Sequence, residues 1–120
     1  MNNYISYCLW LRNQAHIYHL QTISYAEHKA LDGFYTDLLT LFDTLVETYQ
    51  WAHGRMMLTN TVISPSNYTD HTAVVAMVSE FVSQTKQMKA TTPESDSDIQ
   101  NIIDELMALG NQTLYLLSLK

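Results

Sequence analysis

Apolar side chains recur every three to four residues along four stretches of the chain, a spacing that predicts four amphipathic α-helices. These helices are expected at about residues 3–20, 24–50, from 69 or 70 to 89, and 95–119. The connections within the first and the last pair are short, which favours antiparallel neighbours. The middle connection is long enough to cross the bundle. The pattern therefore predicts an all-α, antiparallel four-helix bundle that forms a single domain over residues 1–120.

The second helix carries two stripes rather than one. Ser24 is the expected N-cap, and Glu27 three residues later completes an S-x-x-E capping box. One stripe is aliphatic and aromatic, which predicts a core face. The adjacent stripe mixes imidazole, carboxylate and aliphatic side chains, from His28, Asp32, Leu39, Asp43, Val46 and Glu47. A second stripe of this kind indicates a second partner, and a further copy of the chain is the partner that we expect.

Composition excludes several classes of function. The chain has 12 acidic and 6 basic side chains, and its net charge of −6 disfavours binding to nucleic acid or to an anionic membrane. No apolar run reaches the roughly 20 residues of a membrane span, and the N-terminus lacks the features of a signal peptide. Cys8 is the only cysteine, so no disulfide framework can form. We therefore expect a cytoplasmic protein, in a bacterium or, if a virus encodes it, in the host cell.

The mixed stripe has the spacing of a metal site that needs two chains. His28 and Asp43 are fifteen residues apart, so on a helix they are separated by about 22 Å while pointing in nearly the same direction. Glu47 follows one turn after Asp43. Two such helices can pack antiparallel about a twofold axis near Tyr35 and Thr36. His28 of one helix then lies beside Asp43 and Glu47 of the other, which predicts paired imidazole–carboxylate sites at a homodimer interface.

Further ligands are available near His28. His16 and His19 share a face at the end of the first helix, and either could join His28 across the short turn. Asp32, one turn after His28, could hold a second metal ion or orient a bound water. Imidazole and carboxylate ligands suit iron, manganese or zinc. The alternative is that the histidines only pack or form hydrogen bonds, and that the two later carboxylates form a solvated face.

The run HKALDGFYTDLLTLFDTLVE, residues 28–47, resembles the ligand helix of Dps-type mini-ferritins of the ferritin-like superfamily. In that family a histidine is followed by an aspartate one turn later, and then by a D-x-x-x-E motif. The matching residues here are His28, Asp32, Asp43 and Glu47.

The segment HLQT, residues 19–22, is similar to the H-W-N-V element of the same family, with Leu20 in the place of the tryptophan. This alignment implies that His19 is the ligand from the first helix. It shortens the loop to His28, and an alignment without a gap selects His16 instead. The choice between the two histidines stays open.

The resemblance implies a ferritin-like bundle, homodimers through the second helix and a dodecameric shell. It also implies a ferroxidase with dinuclear iron centres between subunits, where iron(II) is oxidised by hydrogen peroxide or dioxygen and stored as ferric iron. The last residues, LYLLSLK, are similar to small bacteriophage proteins. That similarity keeps an alternative open, a non-enzymatic oligomeric structural or accessory protein of viral origin with a vestigial metal site.

Overall fold

The computed structural model describes residues 1–58 and 64–119, and this part of the chain contains four α-helices. Their bounds are α1 Asn2–Gln21, α2 Tyr25–His53, α3 His71–Thr91 and α4 Ser97–Leu117. α2 continues past its expected end at residue 50. It ends at Gly54, whose φ of 90° is not helical. The predicted all-α four-helix fold is confirmed.

Two of the helices begin where a side chain accepts a hydrogen bond from a free backbone N–H group. Ser24 Oγ accepts from Glu27 N at 3.2 Å, as predicted, and Asp70 caps α3 in the same way. At α4 the N-cap is Asp96, whose carboxylate is instead hydrogen-bonded to His53 Nε2 at 3.0 Å. That bond joins the end of α2 to the start of α4.

The helices pack in the ring order α1, α2, α4, α3, and each runs antiparallel to its neighbours in the ring. Tyr4, near the start of α1, is hydrogen-bonded to Thr85, near the end of α3. Lys89, late in α3, is likewise bonded to Asp104, early in α4. α2 and α3 therefore run in the same direction at opposite corners, so the long connection between them, described at residues 54–58 and 64–70, crosses the bundle.

α1 holds the crossover connection through amide side chains. Gln14, although buried, donates from Nε2 to Ser66 O at 2.9 Å and accepts from Ser66 N at 2.7 Å. Two turns later, Gln21 Oε1 accepts from Tyr68 N at 2.6 Å. Both backbone groups of Ser66 are thereby satisfied without regular secondary structure. These hydrogen bonds hold the end of the α2–α3 connection against the second half of α1.

One apolar core fills the bundle. Cys8 lies in this core, and burial raises the pKa of its thiol to about 12. Gly110 allows α3 and α4 to approach closely, since a Cβ atom there would lie 2.5 Å from Val82 Cγ2. Within residues 1–58 and 64–119, no helix combines the length and the hydropathy that crossing a membrane requires.

Candidate metal site

A pair of histidines joins the end of α1 to the start of α2. His19 Nδ1 lies 2.9 Å from His28 O, and His28 Nδ1 lies 2.8 Å from His19 O. The two rings stack with centroids 3.8 Å apart and planes inclined by 19°. His19 is buried and His28 is half-buried. This arrangement, which we call the histidine clasp, brings together two of the ligands predicted from the sequence.

The clasp fixes the tautomer of both rings. A carbonyl oxygen can only accept, so Nδ1 of each histidine carries a proton and donates it. In the neutral ring, Nε2 then holds the free lone pair. Among the described residues no hydrogen bond engages either Nε2 atom. Metal-bound histidines are held in this way, with one ring N–H on a carbonyl and the other nitrogen on the metal.

His16, Tyr35 and Asp32 lie beside the clasp. The His16 ring stacks on Tyr35 with centroids 4.5 Å apart and lies 6.0 Å from the His19 ring. Burial raises the pKa of Tyr35, and the neighbouring Asp32 carboxylate raises it further. His19 is thus the α1 histidine that stacks on His28, whereas His16 stacks on Tyr35. The ligand roles of all these side chains stay predictions.

Asp43 and Glu47 lie in the later half of α2, and both are exposed. The helical rise places Asp43 about 22 Å from His28 of the same chain. Within the described part of one chain, no three histidine, cysteine, aspartate or glutamate side chains are grouped so that they could hold a metal ion. The predicted ligands therefore form two separate groups, and the completion of a site by a second copy stays a prediction.

A second polar cluster, which the sequence did not predict, surrounds Glu27 in the first turn of α2. The buried carboxylate accepts from Thr22 Oγ1 at 2.7 Å and is hydrogen-bonded to His71 Nδ1. Burial acts to raise the pKa of Glu27, but interactions with Thr22, Tyr68 and His71 outweigh it and hold the pKa below its ordinary value. Glu27 thus has a structural role, because its carboxylate joins the end of α1 to the starts of α2 and α3.

The contact between α1 and the crossover connection could have been predicted in part from the sequence. Gln14 and Gln21 are two helical turns apart, so a polar stripe on α1 could have indicated a partner with free backbone groups. For the contact of Glu27 with His71 no such signal exists. These residues are 44 positions apart, and the contact depends on the path of the crossover connection.

Residues 19–117 match the model of a family that is described as a family of unknown function, DUF5856. The chain belongs to this family. The match includes the histidine clasp and the whole of α2, α3 and α4. An uncharacterized 14.6 kDa protein in the mobD–ri intergenic region of Enterobacteria phage T4 is 30% identical over 105 residues, which cover 88% of this chain and 77% of the phage protein. No solved structure matches the chain.

These matches correct the family that the sequence suggested. The assignment to Dps-type mini-ferritins is wrong, because the matching model describes DUF5856 and the similar protein is a phage protein rather than a mini-ferritin. The motif of residues 28–47 is short, and one face of an amphipathic helix can present the same residue types in unrelated proteins. The expected similarity to bacteriophage proteins is confirmed by the T4 protein.

Proposed function

We propose that this protein binds iron(II) between two copies of the chain and oxidises it. The histidine clasp of one copy and Asp43 and Glu47 of the other supply the ligands, with Asp32 assisting a second iron ion. The observation that supports this most is that both Nδ1 atoms of the clasp are anchored on backbone carbonyls. The anchoring leaves Nε2 of both rings available to a metal ion.

The carboxylates supply the charge that the imidazoles lack. Two neutral rings cannot offset a divalent cation, whereas Asp43 and Glu47, one turn apart on the exposed side of α2, can together neutralise it. A mixed nitrogen and oxygen ligand set suits iron, manganese or zinc. The net charge of −6 also favours cations near the protein. These features support a metal site, and iron and manganese, unlike zinc, can change oxidation state in it.

Iron is the substrate in this proposal. Each iron(II) ion gives up one electron and becomes iron(III). Hydrogen peroxide takes two electrons and two protons and leaves as water, while dioxygen takes the same number and leaves as hydrogen peroxide. Carboxylates bind the harder ferric ion well. The ferric product would then be stored by the assembled copies.

A non-enzymatic oligomer is the second candidate. The clasp accounts for both histidines without a metal, because each ring closes a hydrogen bond between α1 and α2 and stacks on the other ring. The phage T4 relative favours this candidate, since the alternative expected from the sequence is a component of viral origin. In this case the protein is a helical structural or accessory component, and its copies assemble through the same side of α2.

Anaerobic titration with iron(II), followed by addition of peroxide, separates the two candidates. The first predicts saturable binding and rapid formation of iron(III), which is followed by absorbance. Glu47→Ala should abolish both, and it should leave the helical circular dichroism intact because Glu47 is exposed. His28→Ala should also abolish both. His53→Ala, a matched histidine variant at the opposite end of α2, should retain wild-type binding and oxidation.

Wild-type iron oxidation by the Glu47→Ala protein would overturn the iron proposal. A wild-type protein that binds no iron, and whose assembly is unchanged by a chelator, would establish the non-enzymatic oligomer.

A further inference from the structure

Three large apolar side chains lie in solvent near the two ends of α2. Trp51, in the last turn, is 94% exposed, while Ile23 and Tyr25, at the beginning of the helix, are 101% and 76% exposed. Single exposed apolar residues are common on proteins, but a tryptophan without any cover is typical of a binding surface. The placement of these residues at opposite ends of one helix indicates a partner that extends along it.

Trp51 borders an open cleft at the end of α2. The cleft has a volume of about 490 Å³, and Glu47, Gln50 and Arg55 line it together with Trp51. Glu47 lies one turn before Trp51, so the two side chains share a face of the helix. The cleft therefore adjoins one of the carboxylates of the proposed iron site.

α2 carries one basic and five acidic side chains, with Glu27, Asp32 and Asp37 in its first half. Lys29, also in the first half, is the only lysine or arginine of this helix, and Asp43 and Glu47 lie in the second half. Lys29, Asp43 and Glu47 are exposed. A second α2 packed antiparallel brings Lys29 towards the partner's Asp43 and the partner's Glu47. A parallel pairing would instead place like charges side by side, so the charges select the antiparallel arrangement.

The same register brings the apolar ends together. Measured from a centre between Tyr35 and Thr36, Tyr25 lies about 16 Å to one side and Trp51 about 23 Å to the other. In an antiparallel pair, the partner's Trp51 is therefore about 7 Å beyond Tyr25 along the helix axis. That position is over the α1–α2 connection, which contains Ile23.

We infer that the solvent-facing side of α2 binds a second copy of this chain antiparallel, with Trp51 of each copy packed on Ile23 and Tyr25 of the other. The inference rests on the pairing in the proposed function, and it identifies the contacts that hold the copies together whether or not a metal is bound. A twofold axis makes each contact twice, so the two tryptophans anchor both ends of the interface.

Sedimentation equilibrium of the full chain, combined with tryptophan emission at the same concentrations, tests this interface. The wild-type chain should associate, and its emission should shift to shorter wavelength as Trp51 leaves water. Trp51→Ala and Ile23→Asp should each raise the dissociation constant at least about tenfold. Tyr115→Ala is the matched control, because it removes an exposed aromatic side chain from α4 and should leave association unchanged.

The charges provide a second test of the orientation. Lys29→Glu should weaken association, because like charges then face each other across the pair. The double variant Lys29→Glu, Glu47→Lys should restore part of the association, since one ion pair forms again with its signs exchanged while Asp43 still faces the introduced carboxylate. Failure of the double variant to recover any association would contradict the antiparallel register.

The outcomes separate this inference from the proposed function. Wild-type association that neither Trp51→Ala nor Ile23→Asp weakens would overturn the interface contacts and leave the pairing of copies standing. A wild-type chain that stays monomeric at about 100 µM would overturn both, and it would assign the exposed side of α2 to a different partner.

Discussion

Glu27 is a buried carboxylate whose partners come from three segments of the chain. Burial alone favours the neutral acid, but donors from the end of α1 and the start of α3 favour the charged form more strongly. The start of α2 at Ser24 was readable from the sequence, but the Glu27 carboxylate does not complete the predicted capping box, because Ser24 N donates to Thr22 Oγ1 instead. The contact of Glu27 with His71 was not readable, because that contact exists only when the crossover is in place.

We predict that Glu27 makes the fold sensitive to acid. Because the pKa of Glu27 is lower in the folded state, its contribution is fully present above the unfolded value of about 4.3 and is lost as pH falls through the folded pKa. Glu27→Gln should lower the free energy of unfolding near neutral pH by about 1–3 kcal/mol. The free energy of unfolding of the variant should also decrease less than that of the wild type as the pH falls into the acid range. Urea denaturation at several pH values measures both effects.

Glu94→Gln is the control for this prediction, because Glu94 is exposed in the α3–α4 connection. It should show the wild-type dependence on pH. If the Glu27→Gln protein lost stability in acid as steeply as the wild type, the assigned role of Glu27 would be contradicted.

Two helical glycines should respond in opposite ways to alanine. A Cβ atom on Gly33 meets nothing within 4 Å, whereas one on Gly110 would lie 2.5 Å from Val82 Cγ2. Both substitutions gain helix propensity, up to about 1 kcal/mol. We expect Gly33→Ala to raise the free energy of unfolding. The free energy of unfolding of the Gly110→Ala protein should be lower than that of the Gly33→Ala protein by about 1–3 kcal/mol, because the added methyl group overpacks the α3–α4 contact. Equal stabilities in chemical denaturation would refute the close α3–α4 contact.

At the scale of the elements, local patterns predicted the four helices within a few residues of their bounds. Apolar spacing and the cap at Ser24 act within one or two turns, so they can be read without knowledge of the fold. The path of the crossover could not be predicted in this way. It depends on Gln14 and Ser66, which are 52 positions apart and meet only in the folded bundle.

Gln14→Leu should release the crossover connection from α1. The substitution leaves the N–H and C=O groups of Ser66 without their side-chain partner, which should cost about 1–3 kcal/mol of stability. Hydrogen exchange at the Ser66 amide should become faster while exchange in the helices of the core changes little. Gln87→Leu, an exposed glutamine on α3, should change neither quantity. Unchanged protection at Ser66 in Gln14→Leu would contradict the role of this contact.

At the scale of the whole molecule, the sequence predicted which ligands could lie together in one chain. His19 and His28 are in contact because the α1–α2 connection is short, so their proximity followed from local structure. The pairing with Asp43 and Glu47 depends on a second copy, which helical periodicity can suggest but cannot show. The family was assigned wrongly because ligand spacing on one helix reports a possible site and not descent.

We propose that each metal site takes ligands from two chains, and mixed subunits test this sharing most directly. Equal amounts of His28→Ala and Glu47→Ala chains are denatured, refolded together and titrated with iron(II), beside each variant and the wild type treated alone. Every site in either pure variant lacks a ligand, whereas one of the two sites in a mixed pair has all of its native ligands.

We predict that the mixture recovers about a quarter of the wild-type binding capacity, because half of the pairs are mixed and each has one intact site. Iron binding in the mixture that does not exceed that of the two separate variants would contradict a site shared between two chains.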